Sequence, residues 1–274
     1  VYRQTANIDA STTSLLDGGA GFTPLGNTTT KFEANYDGGG HVISGLVINR
    51  PTQDYVGFIG YGKGQTINNL GLENVDITGG TKVGGFIGGA NGMTIEKCYS
   101  TGTVHGNGNY VGGFIDRADG TDTTVRNCYS TCTVTGAGVV GGFNGNGGGP
   151  LTVINCYSTG SVSGTNWVGG FGGFSPEKKV ESSFWDTETS GQTIGSNFAG
   201  STVVTGKTTS EMKTASTFTD AGWSPTIWNM ADGSYPTLKP PAEPNVAPVA
   251  GAQTLATDED TDLAVTLTAT DGNT

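Results

Sequence analysis

A short acidic stretch holds the side chains best suited to catalysis. Asp116, Arg117, Asp119 and Asp122 lie close together in a glycine-bounded segment. Two carboxylates beside an arginine could serve as general acid and base on a glycan, or could hold Ca²⁺ through their oxygens. Side chains in a glycine-rich turn are usually solvated, and no second motif converges on this stretch. We therefore predict that the chain is not an enzyme, and that Asp116 is solvated and tolerates replacement by alanine.

The four cysteines are a second reactive group. Cys98, Cys128 and Cys156 occupy one position of a repeat, and Cys132 follows Cys128 by four residues. Neighbouring residues on in-register parallel strands have poor disulfide geometry, and Cys132 is too far along an extended strand to bridge Cys128. We expect an inward column of reduced, buried thiols that pack as small apolar side chains.

Metal and modification sites are indicated only by isolated signals. Asp258, Asp260 and Asp271 could hold calcium between two domains if a further domain follows them. No other cofactor is expected. Asn27 begins a lone Asn-Thr-Thr sequon, which matters only if the host glycosylates its surface proteins.

Two repeated motifs organise most of the chain. The motif Val-Gly-Gly-Phe recurs every 28 or 29 residues, with a weaker first copy, and ends at Phe58, Phe86, Phe114, Phe143 and Phe171. A second motif, Cys-Tyr-Ser-Thr, keeps step with it and begins at Cys98, Cys128 and Cys156. Internal similarity at a fixed period is typical of solenoids and propellers.

Residue types alternate with a period of two inside each repeat, which is the pattern of a β-strand. One face carries small residues such as Cys98, Ser100 and Val104, which suit a narrow solenoid interior. The other face would form outward ladders of aromatic and hydroxyl side chains: Tyr99, Tyr129, Tyr157, Thr101, Thr131 and Thr159. Such a strip could stack sugar rings or meet another protein, or it could only stabilise neighbouring coils.

These patterns predict an all-β fold, a right-handed parallel β-helix (β-solenoid) with one coil of about 28 residues per repeat. The chain has 48 glycines among its 274 residues, a proportion that disfavours helices. A β-propeller is the alternative architecture, but a repeat of 28 residues is short for a four-stranded blade.

The paired motifs also carry a family resemblance. Val-Gly-Gly-Phe-Ile-Gly followed by Asn-Cys-Tyr-Ser-Thr-Gly-Ser-Val resembles the GLUG-motif repeat family of bacterial and archaeal cell-surface proteins, which includes large adhesins. The lead-in at 32–46 and the tail at 183–236 are similar to the segments that flank those repeats. Phenylalanine takes the place of the leucine in Gly-Leu-Val-Gly and suits the same core role. The resemblance implies a β-helix with an adhesive role at the cell surface.

The chain divides by composition into five segments. We predict an N-terminal cap at 1–31, the β-helix repeats at 32–183, and a C-terminal cap with one short helix at 184–238. The helix is indicated by a capping-box spacing between Thr208 and Glu211. A proline-rich linker at 239–250 leads to 251–274.

The last segment resembles the opening strands of a cadherin-like or immunoglobulin-like surface module. It is too short to close a β-sandwich, which needs about 100 residues. Either the chain is truncated there or another chain completes the sheet. In the second case, a strand donated through Leu263, Val265 and Leu267 would join subunits into a filament.

Composition narrows the functional classes. A net charge of −11 would repel nucleic-acid phosphates and anionic membrane surfaces. No stretch approaches the roughly 20 apolar residues that span a bilayer, so no membrane insertion is expected in this segment. The chain starts at Val1 without a signal-like segment, so we expect it to be processed or to be a fragment.

We predict an extracellular, non-catalytic adhesive or structural module that is secreted or held at the cell surface. Its expected partners are other surface proteins, glycans or copies of itself. Two alternatives remain open: a self-assembling filament or sheath subunit linked by C-terminal strand donation, and a carbohydrate-active β-helix enzyme.

Overall fold

The computed structural model describes residues 1–174, 178–196 and 204–241, together with the backbone of two short strands beyond them. The chain separates into two units, Val1–Pro240 and Pro241–Thr274. Between Tyr2 and Lys207, the described strands of successive coils pair in parallel register. The predicted parallel β-solenoid is thereby confirmed.

Five complete coils form the body of the solenoid, at 36–63, 66–91, 94–118, 123–147 and 151–174, and we number them first to fifth. Their strands are Tyr36–Asp37, Val42–Ser44, Val47–Asn49 and Ile59–Lys63; Thr66–Gly79, Val83–Gly84 and Ile87–Asn91; Thr94–Gly106, Val111–Gly112 and Ile115–Ala118; Thr123–Arg126, Tyr129–Ser130, Thr133–Gly136, Val140–Gly141 and Asn144–Gly147; Leu151–Ile154, Tyr157–Ser158, Val162–Ser163, Val168–Gly169 and Gly172–Phe174.

Irregular coils flank this body. Tyr2–Arg3 and Ile8–Asp9 pair in parallel with the first coil, so the predicted N-terminal cap adds a coil of its own, with a 3-10 segment at Ser11–Gly19. At the other end, Lys178–Glu181 and Ser183–Asp186 pair with the fifth coil, and Val204–Lys207 pairs with Ser183–Asp186.

The predicted repeats meet one another in register. Tyr99 lies opposite Tyr129, which lies opposite Tyr157. Val111 likewise lies opposite Val140, and Val140 opposite Val168. Each kind of side chain therefore forms a ladder along the solenoid, with the spacing of about 4.8 Å that separates hydrogen-bonded strands.

A stack of phenylalanine rings fills the interior. The ring centroids of Phe86 and Phe114 are 4.9 Å apart, those of Phe114 and Phe143 5.0 Å, and those of Phe143 and Phe171 4.9 Å. Phe58 meets Phe86 edge-on at 6.2 Å. Because ring spacing matches coil spacing, one phenylalanine per coil is enough to fill this part of the core.

Paired glycines allow the coils to approach closely. A Cβ atom on the first glycine, such as Gly112, would collide with the carbonyl oxygen of Ile115 in the same coil. A Cβ atom on the second glycine, Gly113, would collide with the carbonyl oxygen of Gly142 in the next coil. The first glycine is thus required by the bend of the chain, and the second by stacking.

Each of the fourth and fifth coils has another bend, at which one residue adopts the left-handed backbone conformation. Asn127 and Asn155, which precede the repeated cysteines, both have φ of 53°. Asparagine is enriched in this region of backbone space because its short side chain tolerates it. The two amides also stack, with Asn155 Nδ2 3.5 Å from Asn127 Oδ1. This explains why asparagine precedes the repeated cysteine in these two coils.

The C-terminal cap contains two short helices rather than the predicted one, Thr209–Met212 and Ala215–Thr219. The predicted capping box is present: the Glu211 amide donates to Thr208 Oγ1 at 3.2 Å, and the Thr208 amide donates to Glu211 Oε2 at 2.8 Å. The second helix was not predicted because it is five residues long and its N-cap, Thr214, makes no side-chain cap hydrogen bond.

An antiparallel pair, Trp228–Asn229 with Thr237–Leu238, follows the helices. We call residues 208–238 the strap.

In the second unit the structure describes an antiparallel pair, Val249–Ala250 with Ala269–Thr270. The rest of the partial sandwich predicted at 251–274 and most of the linker predicted at 239–250 lie outside the described residues. So do the calcium candidates and the strand-donation candidates, which are Asp258, Asp260, Asp271, Leu263, Val265 and Leu267.

The ring stack leads to a stability prediction. Phe114→Ala should leave a cavity between two neighbouring rings and lower the free energy of unfolding by about 3–5 kcal/mol. Urea unfolding monitored by circular dichroism measures this loss. Thr133→Ala, at an exposed position of the next coil, is the control and should change the value by less than about 0.5 kcal/mol. Equal losses in the two variants would contradict the assigned faces.

Candidate functional site

The tyrosine ladder points away from the interior, as predicted. The rings of Tyr99 and Tyr129 stack at 4.7 Å with an interplanar angle of 2°, and those of Tyr129 and Tyr157 at 4.9 Å and 7°. Tyr129 is nevertheless only 8% exposed and Tyr157 only 1%. Of the two alternatives for these tyrosines, the open ligand surface is therefore contradicted at Tyr129 and Tyr157.

The strap covers the ladder. Trp228 packs at 6.2 Å from the Tyr129 ring and 6.1 Å from the Tyr157 ring. The hydroxyl of Tyr157 donates a 2.6 Å hydrogen bond to the carbonyl oxygen of Pro236. Tyr129 and Tyr157 join Phe184, Met212, Phe218, Trp223 and Trp228 in one apolar cluster. The ladder is thus a docking surface for the protein's own C-terminal segment.

The threonine candidates do not form an open strip either. Thr159 is buried, and its carbonyl oxygen accepts a hydrogen bond from Thr189 Oγ1 at 2.6 Å. Thr101 and Thr131 are half-buried, and Thr101 Oγ1 accepts from the Asn74 amide at 3.0 Å. The alternation of residue types correctly predicted that these threonines lie on the outward face. It carries no information about which segment covers that face.

Asp186 anchors the strap to the strand Ser183–Asp186, which follows the fifth coil. Its carboxylate accepts hydrogen bonds from Tyr235 Oη at 2.7 Å and from Thr209 Oγ1 at 2.8 Å. The amides of Glu188 and Thr189 donate to it as well. Burial acts to raise the pKa of Asp186, but these hydrogen bonds outweigh burial and hold it below its usual value. A charged carboxylate can therefore remain at this fully buried position.

The side chains of the acidic stretch have different environments. Asp116 is fully buried within the strand Ile115–Ala118, so the prediction that it is solvated is wrong. Its coil neighbours at this position are glycines, so the repeat indicated a turn where the chain forms a strand. Arg117 forms an ion pair with Asp119. The carboxylate of Asp122 accepts a hydrogen bond from Thr152 Oγ1 at 3.3 Å.

The thiol column is present as predicted. Cys98, Cys128, Cys132 and Cys156 are all free and buried. The Cys98 amide donates to Cys128 Sγ at 3.4 Å. Burial raises the pKa values of the Cys98 and Cys128 thiols well above the ordinary value, and that of Cys132 to about 11. Thiols in this state are poor nucleophiles, because the thiolate is the reactive form.

One corner of the solenoid remains open to solvent over three coils. We call it the corner face and define it as residues 105–110, 135–139 and 163–167 of the third, fourth and fifth coils. Backbone hydrogen bonds connect the coils here: the Val111 amide donates to Val139 O at 2.9 Å, and the Val140 amide to Trp167 O at 2.9 Å. The platform is therefore fixed by main-chain contacts.

The polar half of the corner face consists of residues that lie opposite one another on adjacent coils. His105 pairs with Thr135, and Thr135 with Ser163. His105 Nδ1 lies 2.7 Å from Thr135 Oγ1, and Nε2 lies 2.9 Å from Asn107 Oδ1. These residues line a shallow depression of about 450 Å³. Its surface offers hydroxyl, imidazole and amide groups.

The aromatic half lies on the other side of the corner loops. Asn109, Tyr110, Val139, Asn166 and Trp167 line a second depression of about 270 Å³. Trp167 is 49% exposed, whereas the three other tryptophans of the chain are at most 3% exposed. One exposed aromatic side chain is thus combined with two exposed asparagines.

The ring of Trp167 is held in position by Phe174. Their centroids are 4.7 Å apart, with an interplanar angle of 22°. An aromatic partner restricts the orientation of the indole, although half of its surface faces solvent.

Sequence reasoning missed the corner face. The residue before each repeated valine differs from coil to coil: Tyr55, Lys82, Tyr110, Val139 and Trp167. A comparison of the repeats with one another highlights positions that stay the same, so it passes over a position that varies in this way. The available signal was that three of these five positions are aromatic, and that Tyr110 and Trp167 follow glycine and asparagine residues, which favour turns.

The predicted glycosylation sequon lies at the surface. Asn27 lies on an exposed loop, and its Oδ1 accepts hydrogen bonds from the amides of Thr29 and Thr30. Among the described residues, no group of three or more His, Cys, Asp or Glu side chains is arranged to hold a metal ion. Within that same part of the chain, no helix has the length and apolarity needed to cross a bilayer.

Parts of the sequence have known relatives. Over 89 residues, 30% of the chain, it is 44% identical to "Halomucin" of Haloquadratum walsbyi. Over 72 residues, 26% of the chain, it is 38% identical to a "Putative Gly-rich membrane protein" of Evansella cellulosilytica. The matches cover 1% and 8% of these two proteins, so the chain corresponds to a small part of either. No protein-family model matches it.

The fold has a solved counterpart. The crystal structure of a "putative immunoglobulin A1 protease" from Bacteroides ovatus superposes with a TM-score of 0.63. The superposition covers 87% of this chain and 86% of that one, at 22% sequence identity. At this identity the likeness shows a shared fold.

The Asp186 contacts predict a weak point of the strap. Asp186→Ala would leave the Tyr235 hydroxyl, the Thr209 hydroxyl and two amides without their acceptor, and should lower the unfolding free energy by about 1–3 kcal/mol. Tryptophan emission should shift to the red as Trp223 and Trp228 are exposed. Asp220→Ala removes an exposed carboxylate of the same strap and serves as the control. An unchanged emission spectrum in Asp186→Ala would show that this anchor is dispensable.

The buried tyrosines predict alkaline detachment of the strap. Burial raises the pKa of Tyr157 well above its ordinary value of 10.0, and the pKa of Tyr129 is raised for the same reason. The neutral form is favoured by folding, so this contribution to stability is complete below about pH 10 and is lost as the pH rises above it. Thermal melts followed by tryptophan fluorescence should show falling midpoints above that pH. Tyr129→Phe should give a shallower fall, and an identical pH profile would argue against this origin.

Proposed function

We propose that this chain is an extracellular, non-catalytic β-solenoid module that provides a rigid adhesive or structural segment within a larger surface protein. The observation that carries this proposal is the corner face, a solvent-open platform held by main-chain hydrogen bonds across three coils. A solenoid stacks backbone on backbone, so it presents a long lateral surface at low cost in conformational freedom.

The interior supports binding rather than turnover. It is filled by the phenylalanine stack and by the buried thiols, so ligands can be met only on the outside. The two carboxylates considered as an acid and base pair are both engaged in the fold: Asp116 is buried in a strand, and Asp119 is paired with Arg117. General acid–base catalysis needs two groups that reach the same bond, so the burial of Asp116 and the pairing of Asp119 support the proposal of a non-catalytic module.

The similar proteins support a surface location. One is named "Halomucin" and the other "Putative Gly-rich membrane protein", and both are far longer than this chain. The resemblance of the repeats to the GLUG-motif family points the same way, towards a surface adhesin. On this proposal the module is one of several along a chain, and its partners are glycans or proteins of neighbouring surfaces.

Surface display tests the proposal. The full chain, fused to an outer anchor on non-adherent bacterial cells, should increase their attachment to glycan-coated or cell-coated plates. In the organism that makes the protein, antibodies against this chain should label intact cells. Purified chain incubated with polysaccharides should release no new reducing ends. Labelling only after permeabilisation, or the appearance of reducing ends, would contradict the surface location or the non-catalytic role respectively.

A further inference from the structure

We propose that the corner face binds an uncharged polysaccharide chain, lying along the solenoid axis across the third to fifth coils. This inference rests on the proposed adhesive function and names its ligand class. It is carried by the two adjacent depressions, which combine an exposed aromatic ring with a row of hydrogen-bonding side chains.

The aromatic half provides a stacking surface. The C–H face of a sugar ring is apolar and packs against an indole or phenol ring, while the hydroxyls around its edge need hydrogen-bond partners. Trp167 and Tyr110 line the same depression as Asn109 and Asn166. Both asparagines are exposed, and each amide can donate and accept. A ring with polar groups at its margin is the arrangement that such a ligand requires.

The polar half continues this pattern along the axis. Thr135 and Ser163 carry hydroxyls in register, one coil apart, and His105 is bonded to Thr135. Because the groups repeat at the coil spacing of about 4.8 Å, they match an extended polymer with a similar short repeat better than a single compact ligand. The fixed backbone also reduces the entropy lost on binding.

Charge selects among the glycans. Both depressions lie entirely within the described residues, and none of their lining side chains is Asp, Glu, Lys or Arg. The nearest cation in the same column, Lys82, lies over the ring of Tyr55 at 4.3 Å. The chain as a whole carries a net charge of −11. A uronate or sulfated polymer would find no lysine or arginine in these depressions and would be repelled by the net negative charge of the protein.

The test is titration of the full chain with soluble uncharged polysaccharides (mannan, xylan and mixed-linkage glucan) and with polygalacturonate and heparin as charged probes. Since the other tryptophans are buried, a change in emission on binding reports on Trp167. We expect at least one uncharged polymer to change the emission and to bind more tightly than either charged one. Trp167→Ala should weaken this binding by about tenfold, and Trp167→Phe should restore part of it.

Tyr2→Ala is the matched control, because Tyr2 is 61% exposed on a distant coil. It should leave the affinity unchanged within about twofold. Thermal melts establish that each variant is folded. Asn166→Ala, which removes an amide without disturbing the ring stack, gives an independent second loss of affinity.

Three outcomes would overturn the inference. These are no binding of any uncharged polymer, binding that Trp167→Ala leaves intact, or a Trp167-dependent self-association in sedimentation, which would assign the corner face to a second copy of the chain. If displayed chain still promotes attachment in any of these cases, the adhesive function stands and only its ligand class is wrong. If polymer binds but attachment and surface labelling fail, the ligand class stands and the proposed role is wrong.

Discussion

The close contact of backbone with backbone at the paired glycines determines the rest of this structure. Gly113 has no room for a Cβ atom because the carbonyl oxygen of Gly142 occupies that space. The missing Cβ atoms allow the spacing that hydrogen-bonded coils adopt, and this coil spacing sets the 4.9–5.0 Å stacking of the phenylalanines. The same coil spacing sets the spacing of the outer side-chain ladders. Both the ladder under the strap and the corner face therefore depend on the close packing at the paired glycines.

The tyrosine ladder and the corner face differ in whether they are covered. One presents the tyrosine ladder and is covered by the strap, through Trp228 and the bond from Tyr157 to Pro236. The other presents Trp167 to solvent. A row of aromatic side chains on a solenoid is therefore not by itself a binding site. What distinguishes the two is whether the same chain supplies a cover.

Much of the fold could be predicted from the sequence, because the repeat reports directly on register. The spacing of the phenylalanines gave the coil length, and alternation around Cys98 gave the inward and outward faces. The strap could not be placed, since no local pattern says which surface a nonrepetitive segment will meet. Asp116 was misplaced because glycines on either side indicated a turn. The corner face was missed because its residues vary between coils, and variation is invisible to a search for repeats.

The route by which the strap is attached has a mechanical consequence. The strap leaves the last coil but reaches back along the solenoid, where Trp228 Nε1 donates to Asn127 Oδ1 in the fourth coil and Pro236 meets Tyr157 in the fifth. A tensile load on the strap is therefore shared by the fourth coil, the fifth coil and the segment Ser183–Asp186, to which Tyr235 and Thr209 are bonded. Force that is divided among several coils loads each contact less than the same force applied to the end segment alone.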